Sequence, residues 1–235
     1  MNTRNITISD RIAAICPEFH VAAIACKVRN SPHNTGLWQE IEAFCSRSSS
    51  THKMGDINQR PAIHATRQVY KRLGKDPSRY RPSAEALCRR MLKGQELYRI
   101  NTLVDLINLV SLKTGYSIGG FDEAKIQGDL VLGVGEAGEK FEAIGRGLLN
   151  IEGLPVYRDE LGGIGTPTSD EERTKISSGT TRLLMLINGY SGKEGLQEAT
   201  DYSADLLKKY AGAKELDIGL FNVTTPGGNT AFSIF

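Results

Sequence analysis

Three polar side chains recur at intervals of four and three residues in one short segment of the chain: Asn101, Asp105 and Asn108. An α-helix has about 3.6 residues per turn, so this spacing places the three side chains on one face of a helix. The leucine, isoleucine and valine residues between them fall on another face. The pattern therefore predicts a helix over 101–114 that buries an apolar stripe and offers an amide-bearing stripe to a polar partner.

The elements around this helix follow a definite order. Before it, hydrophobic spacing predicts strands at 6–8 and 20–28 and helical segments at 9–16, 37–44, 61–74 and 84–93. Residues 46–51 are predicted to form a polar loop, and Ser83 is predicted to cap the helix that follows it. After residue 116, glycines separate short strands at 117–121, 129–134, 140–145, 154–158 and 182–188, and a helix over 196–210 precedes a closing pair of strands at 217–223 and 230–234. Helices that mostly precede strands indicate an α+β fold with a mixed sheet or sandwich rather than a doubly wound sheet.

Length and composition are those of a globular protein. With 235 residues, 40% of them hydrophobic and 24% charged, the chain can bury its own core, and we predict a single domain over 1–235. The longest apolar run, 21–26, is far shorter than the roughly 20 residues of a membrane span, and the first residues lack a secretory signal. We therefore expect a cytoplasmic protein with no membrane contact. Four cysteines without a CxxC pair and four histidines without metal-ligand spacing predict no disulfide scaffold, no metal and no other cofactor.

The formal net charge of +2 is unevenly distributed. Residues 60–99 contain eleven basic and three acidic residues, a local net charge of +8, so the rest of the chain carries −6. Three tyrosines are interleaved with these charges, a combination that attracts a phosphate backbone. The residues predicted to contact RNA are Lys71, Arg72, Lys75, Arg79, Arg81, Arg89 and Arg90. Two amphipathic helices with solvated basic faces would produce the same composition.

A glycine motif invites a second functional interpretation. Gly133, Gly135 and Gly138 satisfy the GxGxxG spacing of a dinucleotide site. Such a site needs a helix to begin at the glycines, so that its amides face the pyrophosphate. The following residues instead indicate another strand. We therefore predict a glycine hairpin here.

Three segments together resemble a known family. They are "INTLVDLINLVSLKTGYSIGGFD", "KIQGDLVLGVGEAGEKFEAIGRG" and "GGIGTPTSDEERTKISSGTTRLLMLING". They are similar, over about 84–190, to the tRNA-binding and editing (B-three/B-four) domain of the bacterial phenylalanyl-tRNA synthetase beta subunit. This resemblance implies a β-sandwich of unusual topology with flanking helices. It also implies tRNA or aminoacyl-tRNA as the partner, and hydrolysis of misacylated tRNA in a pocket where the amide-bearing helix meets the sheet.

The resemblance assigns a set of pocket positions, some of which depart from the family pattern. The positions are Ile107, Asn108, Gly119, Gly120, Gly162, Gly163, Thr180 and Leu186. Asn108 and Thr180 match the family, whereas Ile107, Gly119 and Leu186 stand where the family has threonine, histidine and a glutamate that recognises tyrosine. These exchanges imply a more apolar pocket, with more room beside Gly119 and Gly120, for a different and less polar aminoacyl group.

A glycine- and proline-rich stretch at 145–174 has the composition of a loop over a pocket. Its candidate residues are Arg146, Asn150, Asp159, Asp170 and Arg173. Ser169 and the acids after it would equally begin a short helix. The sequence does not order a Ser-His-Asp or Cys-His set, so no catalytic residue is predicted.

Three functions remain consistent with these patterns. The first is a free-standing module that binds the aminoacylated end of tRNA and hydrolyses misacylated tRNA in trans. The second is a tRNA-binding protein without catalysis. The third is a binder of a free amino acid or related metabolite, for which the basic segment would be incidental. We do not expect a complete ligase, because the chain is short and nothing in it resembles the ATP-binding motifs of a synthetase core.

Overall fold

The computed structural model describes residues 2–223 and 230–234 of the chain. In chain order the elements are β1 (Asn2–Ile8), α1 (Asp10–Ile15), β2 (His20–Lys27), α2 (Thr35–Thr51), α3 (Pro61–Arg72), α4 (Ser83–Leu92), α5 (Thr102–Thr114), β3 (Ile118–Asp122), β4 (Leu130–Val134), β5 (Glu142–Ala143), β6 (Gly147–Leu148), β7 (Pro155–Asp159), β8 (Gly162–Gly165), β9 (Arg182–Gly189), α6 (Leu196–Ala211), β10 (Lys214–Asn222) and β11 (Thr230–Ile234). Short 3-10 turns lie at Ile57–Gln59, Glu123–Lys125 and Glu172–Thr174.

The strands form two main sheets and one small hairpin. The first sheet has the order β11-β1-β4-β7-β8, in which β1 and β4 are parallel and the other neighbours antiparallel. The second sheet has the order β10-β2-β9-β3 and is antiparallel throughout. The hairpin pairs β5 with β6. Within the described ranges, no helix has the length and apolarity needed to cross a membrane.

Three strands of the second sheet, β2, β3 and β9, are buried on both faces, whereas β10 is largely exposed. This explains the apolar character of β2 and β9. Successive side chains of a strand point to opposite faces. In β9, Leu184 and Leu186 face the first sheet, whereas Leu183, Met185 and Ile187 face a layer of helices that includes α2, α5 and α6. The architecture is therefore an α+β sandwich with flanking helices, and the predicted fold class is confirmed.

The helix that carries the amide stripe begins and ends as its sequence predicts. The Asn101 side chain accepts a hydrogen bond from the Val104 N–H, which caps the first turn of α5. Gly115 follows the last turn with a left-handed φ of 84°, a conformation that glycine adopts without steric cost.

Two local predictions are wrong. Residues 46–51 were expected to form a polar loop, but they continue α2. Ser50 and Thr51 donate hydroxyl hydrogen bonds to the Arg47 carbonyl, so these side chains satisfy themselves within the helix. Ser83 is not a side-chain cap: Pro82 occupies the cap position of α4, and the Ser83 N–H donates to the Pro167 carbonyl.

The strand predictions fail where pairing is decided by distant partners. The last two strands do not pair with each other: β10 pairs with β2 in one sheet and β11 with β1 in the other. The strand expected over 140–145 is limited to β5, and β8 was not predicted. These differences arise because the pairing of a short, glycine-rich strand depends on its neighbours rather than on its own side chains.

Candidate functional site

Two of the three polar side chains on the α5 stripe make hydrogen bonds that hold the helix in place, and the third does not. Asn101 is the helix cap described above. The Asp105 carboxylate is buried and accepts hydrogen bonds from the Trp38 Nε1–H, at 2.7 Å, and from the Ile100 N–H, at 3.0 Å. Burial raises the pKa of Asp105, and these two donors oppose the shift. Both side chains are therefore committed to holding the helix in place.

Asn108 differs from its two neighbours on the stripe. Its side chain is half-buried, and it makes no side-chain hydrogen bond to any residue in 2–223 or 230–234. An amide in this state retains its full donor and acceptor capacity. Asn108 is thus the one member of the predicted stripe that is available to a ligand.

The glycines of β3 are covered by the protein's own side chains. A Cβ on Gly120 would lie 2.5 Å from Ile107 Cδ1 and 3.1 Å from Ile176 Cδ1. A Cβ on Gly119 would lie 2.7 Å from Cζ of the Phe121 ring. The expectation of extra room at these glycines is therefore wrong, because apolar side chains of the core fill the space that the missing side chains leave.

Three other predicted pocket positions are built into the core. Leu186 pairs with Gly119 in the β3–β9 register and is fully buried between the sheets. The Thr180 hydroxyl donates to the Asp122 carboxylate at 2.8 Å and is buried. Gly163 packs under Phe141, whose ring carbon lies 2.9 Å from a Cβ built there. Their assignment as ligand contacts stays a prediction.

Two of the loop residues form an ion pair at the turn between β7 and β8, in which the carboxylate is buried and the guanidinium is partly exposed. Arg173 donates from both terminal nitrogens to the two oxygens of Asp159, each at 2.9 Å. The backbone amides of Gln127, Leu161 and Gly162 also donate to this carboxylate. Burial alone would raise the pKa of Asp159, but Arg173 and the amides hold it below its usual range. This pair fastens the turn that carries Gly162.

Asp170 lies where β3, at one end of the second sheet, faces β8, at one end of the first. We call this place the seam, defined by Gly119, Gly120, Gly165 and Asp170. Asp170 Oδ2 accepts a hydrogen bond from the Gly120 N–H at 3.1 Å. A Cβ on Gly165 would lie 2.8 Å from Asp170 Oδ1 and 2.6 Å from Phe121 Cζ. The seam therefore links Asp170 to Gly120, and Gly120 to Ile107 beside Asn108.

The remaining loop residues are exposed. Arg146 is at the tip of the β5–β6 hairpin, and its side chain has no polar partner in the described part of the chain. Asn150 accepts a hydrogen bond from the Glu152 N–H in a turn. The hairpin adjoins the seam, since the Ile144 N–H donates to the Asp170 carbonyl at 3.0 Å.

The basic segment contains both structural and free cations. Glu85 is buried and forms ion pairs with Arg67, Arg81 and Arg89 at N–O distances of 2.7, 3.5 and 2.8 Å. Of the predicted RNA contacts, these pairs bind Arg81 and Arg89 into the protein. Arg72 donates to the Ile15 carbonyl, Lys75 to the Glu152 carbonyl and Arg90 to the Glu96 carbonyl. Among described residues, Lys71 and Arg79 have no acidic partner and are exposed.

Two grooves lie elsewhere on the helical layer. One, of about 670 Å³, is lined by Lys113, Tyr116, Glu194, Glu198 and Tyr202 among others. The other, of about 330 Å³, lies between α2 and the segment 94–99 and includes Trp38 in its wall. None of the predicted pocket residues lines either groove.

Sequence reasoning missed the residues that close the seam. The side chains of Phe121 and Ile176 fill the space beside the β3 glycines, and Gly165, which has no side chain, leaves room for Asp170. None of these three was among the predicted site residues. The sequence signal was incomplete, because β8 shifts register against β7 between Gly163 and Gly165, so that these two glycines face opposite sides of the strand. Each lies under a phenylalanine ring, Phe141 and Phe121 respectively.

Comparison with known proteins places this architecture in a family. A model of the B3/4 domain family matches residues 65–212, well over half of the chain. The chain therefore belongs to the B3/4 domain family, which confirms the resemblance and extends it beyond 84–190. The match begins in α3 and ends just after α6.

A solved structure supports the same fold. The chain is similar to the crystal structure of an N-terminal fragment of the phenylalanyl-tRNA synthetase beta subunit from Pyrococcus horikoshii, with a TM-score of 0.51 and 15% sequence identity. The similarity covers 96% of this chain and 53% of that chain, so this chain spans about half the length of the fragment. No curated protein matches the sequence.

Proposed function

We propose that this chain binds the aminoacylated 3′ end of tRNA in the cytoplasm and hydrolyses misacylated tRNA in trans. Membership of the B3/4 domain family supports a role related to tRNA synthetases. The observation that carries the proposal is Asn108. It matches the pocket asparagine of the family pattern, and its amide has no partner within the described residues. A polar group left unpaired beside a closed core is one that a ligand can use.

The exposed cations provide a second line of support. Lys71 and Arg79 lie on the α3–α4 side of the molecule without acidic partners among the described residues, and Lys75 and Arg79 stack on Tyr80 at 4.2 and 5.5 Å from the ring centroid. Basic side chains interleaved with aromatic rings fit an RNA backbone and its unpaired bases. The aminoacyl group would rest against Ile107, whose apolar side chain favours a less polar amino acid than tyrosine.

Hydrolysis is tested with a panel of tRNAs that carry mismatched amino acids. We expect the protein to accelerate ester cleavage for a subset of the panel. We expect Asn108→Ala to reduce that rate about five- to 150-fold, the usual effect of losing one orienting hydrogen bond of about 1 to 3 kcal/mol. Gln197→Ala removes an exposed amide from α6 and is the matched control. Equal, uncatalysed decay across the panel would refute the catalytic part of the proposal and leave a tRNA-binding protein.

RNA binding is tested separately by charge reversal. We expect the double variant Lys71→Glu and Arg79→Glu to weaken tRNA binding and to lower the slope of log affinity against log salt by about one to two. The control variant, Lys193→Glu with Lys208→Glu, makes the same change of net charge on exposed lysines of the α6 region. Equal effects of the two variants would show that net charge, and not a defined surface, controls binding. Salt-independent binding would favour the small-metabolite alternative.

A further inference from the structure

The smaller of the two grooves on the helical layer has one wall built from a single face of α2. The residues that α2 contributes to this wall include Trp38, Ile41, Cys45 and Ser49. Their spacing of three or four residues places them on the same side of the helix. The segment 94–99 crosses this face without regular structure and forms the opposite wall. We call this space the α2 groove; its volume of about 330 Å³ is within the range of small-molecule pockets.

The inner wall of the α2 groove is apolar and held in place. Trp38, Ile41 and Met91 are almost fully buried, and Leu97 of the crossing segment packs against the core clusters to which they belong. The Trp38 ring is fixed, because its N–H donates to the Asp105 carboxylate at 2.7 Å. A ligand side chain can therefore replace water along this wall without a rearrangement of the helices, and burial of its apolar surface favours binding.

The rim of the α2 groove carries opposite charges that lie close together. Arg99 Nη2 is 3.0 Å from Glu42 Oε1, and the Arg99 guanidinium carbon is 4.3 Å from the centre of the Trp38 ring. The Arg99 and Glu42 side chains are 55% and 59% exposed, so a ligand can rearrange this ion pair at small cost. Glu96 also lines the groove, and its carboxylate has no partner among the residues that the structure describes.

We propose that the α2 groove binds a free α-amino acid with an apolar side chain. The carboxylate and the ammonium group of such a ligand are attached to one carbon atom, so they match a cation and an anion that are themselves neighbours. The ligand carboxylate pairs with Arg99, and its ammonium group pairs with Glu42 and Glu96. The ligand side chain enters the space between Trp38 and Leu97. This site is separate from the predicted pocket positions, and the inference does not rest on the function proposed above.

The charges at the rim select this class of ligand. Glu42 and Glu96 outnumber Arg99, so the rim disfavours a ligand that carries only a carboxylate and favours one that also carries an ammonium group. A simple amine would pair with the two acids but would leave Arg99 without a new partner. A charged ligand side chain would lose its hydration against the apolar wall. A zwitterion with an apolar side chain satisfies both the rim and the wall.

The ligand class is tested by isothermal titration calorimetry of the full chain with L-leucine and L-phenylalanine at millimolar concentrations. We expect both to bind. Isoamylamine lacks the carboxylate of leucine, Nα-acetyl-leucine lacks its ammonium group, and L-glutamate replaces its apolar side chain with a charged one. Each of these three should bind at least about ten-fold more weakly. The proposal is refuted if neither L-leucine nor L-phenylalanine binds, or if isoamylamine binds as tightly as L-leucine.

Two tryptophan variants of α2 test the location of the site. Ser46→Trp places a large ring in the groove from an exposed position, and we expect it to prevent binding of L-leucine. The control, Ala43→Trp, adds the same ring at an exposed position that does not line the groove, and should bind as the wild type does. Arg99→Met keeps an apolar stem without the guanidinium and should weaken binding about ten- to 100-fold. Thermal unfolding establishes that the variants are folded. Wild-type binding by Ser46→Trp would overturn the proposal.

Cys45 provides a second readout inside the groove. It is partly exposed, whereas Cys16, Cys26 and Cys88 are buried, so a maleimide should react first with Cys45 in the folded protein. Saturating L-leucine should slow this reaction several-fold, L-glutamate should not, and Cys45→Ser should lack the fast reaction. An unchanged rate of Cys45 labelling in saturating L-leucine would also overturn the proposal. None of these experiments uses tRNA, so their failure would leave the proposed function standing, and failure of the deacylation assay would leave this site standing.

Discussion

Two aspartates eleven residues apart occupy opposite electrostatic environments. At the β7–β8 turn, Asp159 has a fully buried side chain that receives two hydrogen bonds from Arg173 and three from backbone amides. At the seam, Asp170 receives one amide hydrogen bond and faces no cation among the residues that the structure describes. The pKa of Asp159 is consequently lowered and that of Asp170 raised.

The difference shows how the surroundings of a buried aspartate decide whether it keeps its charge. Burial penalises the charged form of both carboxylates. At Asp159 a bidentate arginine and three amides outweigh that penalty, so the charge is permanent and holds the turn. At Asp170 the penalty prevails, so the group exchanges a proton near neutral pH. The number of donors, and above all the presence of Arg173, is what separates the two sites.

The largest effect is expected from Asp159→Asn. Removing the charge leaves the Arg173 guanidinium without its charged partner, and breaking a pair whose carboxylate is buried should lower the free energy of unfolding by about 3 kcal/mol. Because the folded pKa of Asp159 is lowered, its stabilisation exists above the unfolded value of about 4 and is lost as pH falls through the folded value. Urea unfolding at pH 7 and pH 3 measures both effects. A loss below about 1 kcal/mol at pH 7 would mean that the pair contributes little.

Asp170→Asn should act in the opposite direction. With a folded pKa of about 7 against about 3.9 when unfolded, the folded state binds more protons between these values, so wild-type stability falls as pH rises from about 4 to about 7. The amide does not ionise, so the variant should gain about 2 kcal/mol relative to wild type between pH 5 and pH 8, allowing for partial solvent screening. Thermal unfolding at the two pH values tests this, and a pH-independent difference would contradict it.

Arg173→Lys should have the smallest effect on the free energy of unfolding. It tests whether the positive charge of this side chain or the geometry of its two hydrogen bonds stabilises Asp159. Lysine keeps the positive charge but cannot donate to both oxygens of Asp159 at once, since its ammonium lacks the planar fork of arginine. We expect a loss of about 1 kcal/mol in urea unfolding at pH 7. A loss as large as that of Asp159→Asn would show that the paired geometry, and not the charge, supplies the stabilisation.

Local sequence signals predicted much of the fold. The cap at Asn101, the glycine after α5 and the strand at 182–188 are encoded within a few residues, and the structure has them where the sequence indicates. These local signals failed wherever residues far away in the sequence decide which segments pair. The serine-rich end of α2 remains helical, with the Ser50 and Thr51 hydroxyls donating to the Arg47 carbonyl. The strands β10 and β11 separate because each pairs with a different neighbour.

The candidate site likewise combines features that the sequence revealed with features that only the folded structure shows. The sequence identified Asn108 through its spacing and its match to the family pattern, and it named Asp170 as one residue of a loop. It could not reveal that Asp105 is bound by Trp38, 67 residues away, or that Ile107 and Phe121 close the glycine positions. Availability for binding depends on which groups already have partners, and those partners come from other elements.

By itself, the sequence determined the caps of α5, the position of β9, the α+β class and the family to which the chain belongs. The tertiary structure decided which polar groups remain free and which aspartate keeps its charge. The physical reason is range: capping and alternation act between residues a few positions apart, whereas desolvation and ion pairing depend on atoms that only folding brings together.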